Sequence, residues 1–207
     1  MDGNIKNLVF DLGGVIMDLK RERCVEALEA LGMKDAESML GLYKQTGPFL
    51  ELEEGKLSAE EFRDAMRAKI DGIVSDEQLD DALNMFLVGI PVNRLHALKK
   101  LGEKYKVFML SNTNPIMFDS KIKECFSIDG LEVNDYFDGL CLSYKAGYSK
   151  PDSHIYLYMV EKFGIKPEES IFFDDSQKNL DAAEKIGFKT YLVEPGTEFT
   201  EAFKNCL

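Results

Sequence analysis

Several short stretches of this sequence carry residues that could bind and transfer a charged group. In the first, Asp11 follows the apolar run 8–10, and the pair Gly13-Gly14 comes shortly after it. A short apolar run closed by turn residues predicts a buried strand with Asp11 at its carboxyl end. In open α/β sheets ligands bind at that end of the strands, and the two glycines would let a ligand approach the backbone closely.

The other stretches place polar residues in the same position relative to the apolar runs. Ser111-Asn112 and Asp174-Asp175 each follow such a run, while Lys150 lies in a loop before a helical pattern. Alone, each has an ordinary structural explanation, because Ser and Asp cap helices and lysine is usually a solvated charge. Since parallel strands end at one edge of a sheet, we expect all of these residues to meet Asp11 there.

That combination of side chains suits the handling of a phosphoryl group. Three carboxylates at one edge would repel one another unless a cation lay between them, and oxygen ligands with open positions suit Mg²⁺. A lysine and a hydroxyl beside the metal could neutralise and orient a phosphoryl group, whose transfer needs mainly positioning and charge stabilisation. One carboxylate could then attack phosphorus and form an aspartyl-phosphate.

An alternation of strand and helix patterns would position these residues. The predicted strands are short apolar runs: 8–10, 105–110, 137–143, 170–173 and 190–193. Helical spacing of apolar residues appears between them: 92–101, 152–163 and 179–186. Such alternation implies right-handed crossovers and a parallel sheet. The predicted fold class is α/β, with a Rossmann-like doubly wound parallel sheet as the core.

Residues 18–89 interrupt this alternation with helical patterns and no convincing strand. Asp18 is placed to cap a first helix at 20–31, and Ser58 with Glu61 forms a capping box that opens another. Further helices are predicted at 35–44 and around 79–87. We therefore predict a core of residues 1–17 and 90–207 with an inserted helical cap at 18–89. Residues 117–136 show no clear pattern.

The overall composition limits the classes of partner. The chain has 207 residues and a formal charge of −12, which disfavours nucleic acid and anionic membranes. No apolar run approaches the ~18 residues of a membrane span, and the N-terminus lacks a signal-peptide pattern. None of the four cysteines, Cys206 included, forms a CxxC pair, so we expect reduced thiols. A cytoplasmic protein acting on a small molecule fits best, and no pattern indicates its oligomeric state.

The order of the motifs resembles a known family. VFDLGGVIMD, LSNTN, the SKPD that begins at Ser149, and FFDDSQKN are similar to the four ordered motifs of the haloacid dehalogenase-like (HAD) hydrolases. The resemblance covers essentially the whole chain, and residues 18–89 resemble the small helical cap of that family. Within it, the chain is most similar to sugar-phosphate phosphatases, such as glucose-1-phosphate phosphatases and the phosphatase domain of epoxide hydrolases.

The resemblance implies a Mg²⁺-dependent phosphatase and assigns a role to each motif residue. Asp11 would be the nucleophile and a metal ligand, and the carbonyl of Gly13 a second ligand. Asp175 would bind the metal directly, with Asp174 assisting through water. The remaining roles concern the phosphoryl group and the loop after the last motif. Ser111 and the amide of Asn112 would hold the phosphoryl group, Lys150 would neutralise it, and Asn179 would brace the loop.

One position departs from the pattern of the family. Its phosphatases usually carry a general acid and base two residues after the nucleophile, and Gly13 stands there. Without that acid we expect slow turnover, a leaving group that needs little protonation, or a replacement group. The candidate replacements are carboxylates near or within the cap: Asp18, Glu51, Glu53 and Glu54. The sugar of a 1-phosphate would depart from phosphorus more easily than the sugar of a 6-phosphate, and Phe49 could pack on the sugar ring.

Other functions remain open on the sequence alone. A dehalogenase also lacks the second aspartate, but Asp174-Asp175 argues against one because that branch works without metal. A non-catalytic protein that binds a phospho-ligand or a partner would explain Gly13. A phosphoglucomutase-like transferase is the third alternative, although such enzymes normally keep the aspartate that this chain lacks.

Overall fold

The computed structural model describes residues 4–41 and 45–204. Within these ranges the strands are β1 (Asn7–Phe10), β2 (Asp18–Leu19), β3 (Leu87–Gly89), β4 (Lys106–Ser111), β5 (Gly139–Leu142), β6 (Ser170–Asp174) and β7 (Lys189–Leu192). Five of them form one parallel sheet in the order β5-β4-β1-β6-β7. From β1 the chain passes to β4 and β5 on one side, and it then returns to β6 and β7 on the other side, so the topological switch point of this doubly wound fold lies between β1 and β6. The predicted fold class is confirmed.

The register of the sheet sets the ends of its central strands side by side. Phe10 at the end of β1 lies opposite Met109 of β4 and Phe173 of β6. Asp11, the next residue, donates its backbone N–H to the carbonyl of Phe173 at 2.9 Å. The polar residues that follow β1, β4 and β6 therefore emerge at one edge, as the sequence predicted.

Helices cover both faces of the sheet. They are α1 (Arg21–Ala30), α2 (Ala36–Met39), α3 (Pro48–Glu53), α4 (Ala59–Arg67), α5 (Asp76–Asn84), α6 (Val92–Gly102), α7 (Pro115–Met117), α8 (Lys123–Phe126), α9 (Ser143–Ala146), α10 (Ser153–Phe163) and α11 (Gln177–Ile186). Because side chains alternate along a strand, Val9 packs with the apolar faces of α10 and α11, while Leu8 and Phe10 enter a second cluster. That second cluster continues into the cap segment, residues 18–89, through residues such as Leu52 and Phe62.

The cap segment differs from its prediction at both of its ends. The expectation of no strand there is wrong, since Asp18 pairs with Gly89 and Leu19 with Leu87 in an antiparallel ribbon of β2 and β3. Strands of two and three residues are too short to show periodicity in a sequence. The ribbon joins the start and the end of the cap segment where it leaves the sheet.

The predicted capping role of Asp18 is also wrong. Helix α1 has Lys20 at its N-cap and no side-chain cap. Asp18 instead accepts a hydrogen bond of 2.7 Å from the buried Arg94, which also binds Glu198 through two bonds of 2.8 Å. This arginine ties the ribbon to α6 and to the C-terminal part of the chain.

Other boundaries differ more modestly. The capping box of Ser58 and Glu61 is present at the start of α4, and the pattern-poor residues 117–136 hold short helical turns, one of them π-helical. The helix predicted over 35–44 is reduced to α2, and residues 42–44 lie outside the described ranges.

Cys24, Cys125 and Cys141 are free thiols, as predicted, whereas Cys206 lies outside the described residues.

No helix within the described ranges combines the length and the apolar character needed to cross a membrane.

Candidate active site

The predicted site residues meet in one cavity at the carboxyl edge of the sheet. Asp11, Gly13, Ser111, Asn112, Lys150 and Asp175 line it. Asp174 lies behind this lining, fully buried, and contacts it through Lys150. The structure thus brings together the seven residues predicted to bind the metal or the phosphoryl group, and the cavity is closed on its other side by the cap segment.

Lys150 is the charge that holds the carboxylates together. Its Nζ lies 2.9 Å from Asp11 Oδ1 and 2.7 Å from Asp174 Oδ2. Burial lowers the pKa of Lys150, but the charges of Asp11 and Asp174 outweigh that effect and raise its pKa above the ordinary value. The lysine is therefore a permanent cation between the two aspartates.

The position of Lys150 is fixed by the side chain of Asn112. Asn112 Oδ1 accepts the backbone N–H of Lys150 at 2.7 Å, and Asn112 Nδ2 donates to the carbonyl of Lys150 at 3.0 Å. From the sequence, only the backbone amide of Asn112 was expected to have a role, and this clamp on Lys150 was not predicted. No local pattern indicates it, because the two residues are 38 positions apart.

Asp174 is held by donors on both oxygens. Its Oδ1 accepts the backbone N–H of Ser176 at 2.8 Å and Asn179 Nδ2 at 2.9 Å, while its Oδ2 faces Lys150. Asn179 braces this loop, as predicted, and its own carbonyl accepts the hydroxyl of Tyr156 at 2.9 Å. A carboxylate bound this way is an orienting group, because few of its lone pairs remain for another ligand.

Asp175 approaches the first loop because Gly14 has no side chain. A Cβ at Gly14 would overlap with Asp175 Oδ2, and its φ of +74° also favours glycine. At Gly13 the φ is not positive, and a Cβ would lie 2.6 Å from the Cδ1 of Leu19, the end of a flexible side chain. A side chain is therefore excluded at Gly14, whereas one at Gly13 could be accommodated by a movement of the Leu19 side chain.

The electrostatics of the site favour a cation. One oxygen from each of Asp11, Asp174 and Asp175 lies within 4.8 Å of the other two. Burial raises the pKa of Asp11 well above its usual range; Lys150 opposes this, and the charges of Asp174 and Asp175 add to it. Burial and the charge of Asp174 raise the pKa of Asp175 to about 6, against the effect of Lys150. Three carboxylates with one lysine leave excess negative charge, and a divalent cation would neutralise it.

The cap segment supplies a mostly apolar wall with two polar groups. Leu40, Phe49, Phe86 and Leu87 are among its apolar members. The polar members are Gln45 and Glu53. The Oε1 atom of Gln45 is buried and has no hydrogen-bond partner among the described residues.

Comparison with known proteins decides the family. The model of the haloacid dehalogenase-like hydrolases matches residues 5–187. The chain belongs to the haloacid dehalogenase-like hydrolase family. The family resemblance seen in the sequence is thus confirmed.

Similar proteins within this family include a named phosphatase. The chain is 39% identical to the D-ribitol-5-phosphate phosphatase of Bacteroides thetaiotaomicron over 95% of this chain and 96% of that protein. A HAD family enzyme of the same organism, solved in its wild-type form with magnesium and inorganic phosphate, is 41% identical. It aligns with a TM-score of 0.91 over 97% of this chain and 100% of that one. A predicted HAD-like hydrolase from Porphyromonas gingivalis is 37% identical, with a TM-score of 0.90 over 98% of each chain.

Proposed function

We propose that this HAD-like hydrolase is a Mg²⁺-dependent phosphatase that hydrolyses a small sugar or polyol phosphate through an aspartyl-phosphate on Asp11. The observation that carries the proposal is the contact between Lys150 and Asp11 in a cavity that also holds Asp175. Similar proteins support it, since one is a D-ribitol-5-phosphate phosphatase and another was solved with magnesium and phosphate.

The residues fit a magnesium ion. Asp11 and Asp175 would bind it directly with the carbonyl of Gly13, and Asp174, occupied by other donors, would assist through water. When bound, the metal supplies positive charge that stabilises the phosphoryl oxygens and keeps Asp11 ionised.

The chain's own residues perform the remaining steps. The free oxygen of Asp11 attacks phosphorus, the bond from phosphorus to the ester oxygen breaks, and the alcohol departs. Lys150 stabilises the negative charge of the phosphoryl group, and Ser111 with the amide of Asn112 orients it. Water then attacks phosphorus, releases inorganic phosphate and restores Asp11.

The class of substrate follows from the cap wall and from the similar proteins. The amide of Gln45 offers a hydrogen bond to a substrate hydroxyl inside a wall that is mostly apolar. D-ribitol 5-phosphate, the substrate named for the 39% identical relative, carries its phosphate on a primary hydroxyl, and we adopt that class as the first candidate. The preference for a sugar 1-phosphate over a 6-phosphate stays a prediction from Gly13, as do a cytoplasmic location and the lack of a nucleic-acid partner.

Phosphate release from a panel of phosphate esters tests this function. Polyol and sugar phosphates should release phosphate in Mg²⁺, lose that activity in EDTA and regain it when Mg²⁺ is restored. Full activity in chelator would contradict the metal assignment. Binding of phosphate esters without any release of phosphate would favour a non-catalytic protein that binds a phospho-ligand. Transfer of phosphate between positions of one sugar would favour a mutase. Release of halide from a haloacid would favour a dehalogenase.

A further inference from the structure

The active site lacks a proton donor at the position where the chain has Gly13. An alcohol leaving from a phosphate needs a proton, and general acid catalysis is typically worth ~10²–10⁴-fold. Of the carboxylates that could replace the missing acid, Asp18 is paired with Arg94 and does not line the cavity. Glu51 is exposed and does not line it either.

Glu54 also has another role. Its Oε1 accepts the hydroxyl of Ser149 at 3.0 Å, and its Oε2 lies 2.6 Å from Lys56 Nζ. The bond with Ser149 attaches the end of α3 to the loop that carries Lys150, and Glu54 is not among the cavity-lining residues.

Glu53 is the remaining candidate, and it lines the cavity together with Asp11, Ser111 and Lys150. It lies four residues after Phe49, so both project from the same face of α3, and Phe49 lines the cavity too. Glu53 is half-buried as a residue, and its carboxyl group makes no hydrogen bond or ion pair with any described residue. It is therefore free to interact with a bound molecule.

The end of α3 is held at a fixed distance from the sheet. Gly55 follows it with a φ of +65°, and a Cβ there would overlap with the carbonyl oxygen of Tyr144. Phe49 and Phe62 stack edge to face at 5.2 Å and anchor the helix within the cap segment. Together with the bond from Ser149 to Glu54, these contacts hold the end of α3, and with it Glu53, in the wall of the cavity that Asp11 also lines.

The protonation state of Glu53 suits an acid. Burial raises the pKa of Glu53 to about 8, the neighbouring charge of Glu54 adds to this, and Lys150 opposes it. Asp11 and Asp175 are the other charged groups that line the same cavity. With a pKa of about 8 the group holds its proton at neutral pH and loses it as the pH rises through that value.

We propose that Glu53 is the general acid and base that replaces the residue missing at Gly13, an inference that rests on the proposed phosphatase function. In the first step Asp11 attacks phosphorus, the bond to the ester oxygen breaks, and Glu53 gives its proton to that oxygen to form the alcohol. In the second step water attacks phosphorus of the aspartyl-phosphate and its proton returns to Glu53. Inorganic phosphate leaves and both carboxyl groups regain their starting states.

A comparison of leaving groups tests this role. Nitrophenolate leaves without protonation, whereas a polyol alkoxide does not, so kcat/KM for ribitol 5-phosphate and for p-nitrophenyl phosphate should respond differently to Glu53→Gln. We expect a loss of at least ~10²-fold for the polyol ester and little change for the aryl ester. Glu51→Gln, an exposed change on the same helix, is the matched control and should alter neither.

Two further readouts separate catalysis from structure. Glu53→Gln lacks the base for the second step, so with the aryl ester it should show a burst of nitrophenolate equal to the enzyme concentration. In the wild-type protein, kcat/KM for the polyol ester should fall as the pH rises through about 8, because the acid form is then lost. This fall of kcat/KM with rising pH should be absent from Glu53→Gln.

The possible outcomes are distinct. Equal losses of kcat/KM for both esters would assign Glu53 a positioning role and overturn the proposal, as would unchanged rates for both. If the wild-type protein hydrolyses neither ester, the proposed function itself fails.

Discussion

At the sheet edge the ionisable groups of the site are paired with one another, whereas the ionisable group that the cap helix α3 contributes to the cavity has no partner among the described residues. Lys150 contacts Asp11 and Asp174 within 3 Å, and Asp174 has further donors in Ser176 and Asn179. Glu53, across the cavity, has no such partner among the described residues. The edge is thus organised around one unchanging group, the phosphoryl group. The cap side faces the variable part of the substrate and supplies the proton that the leaving alcohol needs.

The largest expected effect comes from breaking the charge network of the edge. Lys150→Met leaves Asp11 and Asp174 buried without their cation, and loss of one partner of a buried ion pair costs about 3–5 kcal/mol. We expect a lower free energy of unfolding in urea, and phosphatase activity near the detection limit. Because a divalent cation also neutralises these carboxylates, Mg²⁺ should recover part of the stability.

Lys6→Met is the control for that change. It removes an exposed ion pair with Glu169 at 2.9 Å, which should contribute little to stability. If Lys150→Met unfolds at the same urea concentration as this control, the edge is not held together by Lys150.

A second experiment moves the acid from the cap to the edge. Gly13→Asp in the Glu53→Gln background restores a carboxyl group two residues after Asp11, and Leu19→Ala in the same protein removes the contact that a Cβ would meet. We expect kcat/KM for ribitol 5-phosphate to recover by at least ~10-fold relative to Glu53→Gln, a fraction of what a general acid supplies.

The background variant Glu53→Gln/Leu19→Ala, which lacks the new carboxyl group, is the control for this rescue. Recovery in the control as well would mean that relief of packing, and not the acid, restored the rate.

The smallest expected effect concerns Gln45 of the cap wall. Gln45→Leu keeps the size of the side chain and removes the amide, so one hydrogen bond of roughly 1 kcal/mol to a substrate hydroxyl is lost. KM for the polyol ester should rise about 5-fold, while KM for p-nitrophenyl phosphate should not. An equal rise in KM for both esters would show that Gln45 shapes the cavity and makes no hydrogen bond to a substrate hydroxyl.

The sheet edge and the cap also differ in how much of their structure the sequence predicts. Asp11 directly follows β1, Ser111 is the last residue of β4, and Asp174-Asp175 spans the end of β6, so their meeting follows from parallel topology alone. The partners of Asn112 and Arg94 are distant in the chain, and the two-stranded ribbon is too short for a periodic signal, so these required the folded structure. For the cap carboxylates the sequence named four candidates, and only the packing of α3 separates Glu53 from Asp18, Glu51 and Glu54.

The proposed nucleophilic role of Asp11 is tested most sharply by the effect of Asp11→Asn on kcat/KM for p-nitrophenyl phosphate in saturating Mg²⁺. The aryl ester removes any dependence on the acid, so this measurement isolates attack on phosphorus by the residue after β1. We predict a loss of at least ~10⁴-fold, as for the removal of other nucleophiles, with the circular dichroism spectrum unchanged. A variant that keeps a tenth or more of the wild-type kcat/KM would show that a group other than Asp11 attacks phosphorus.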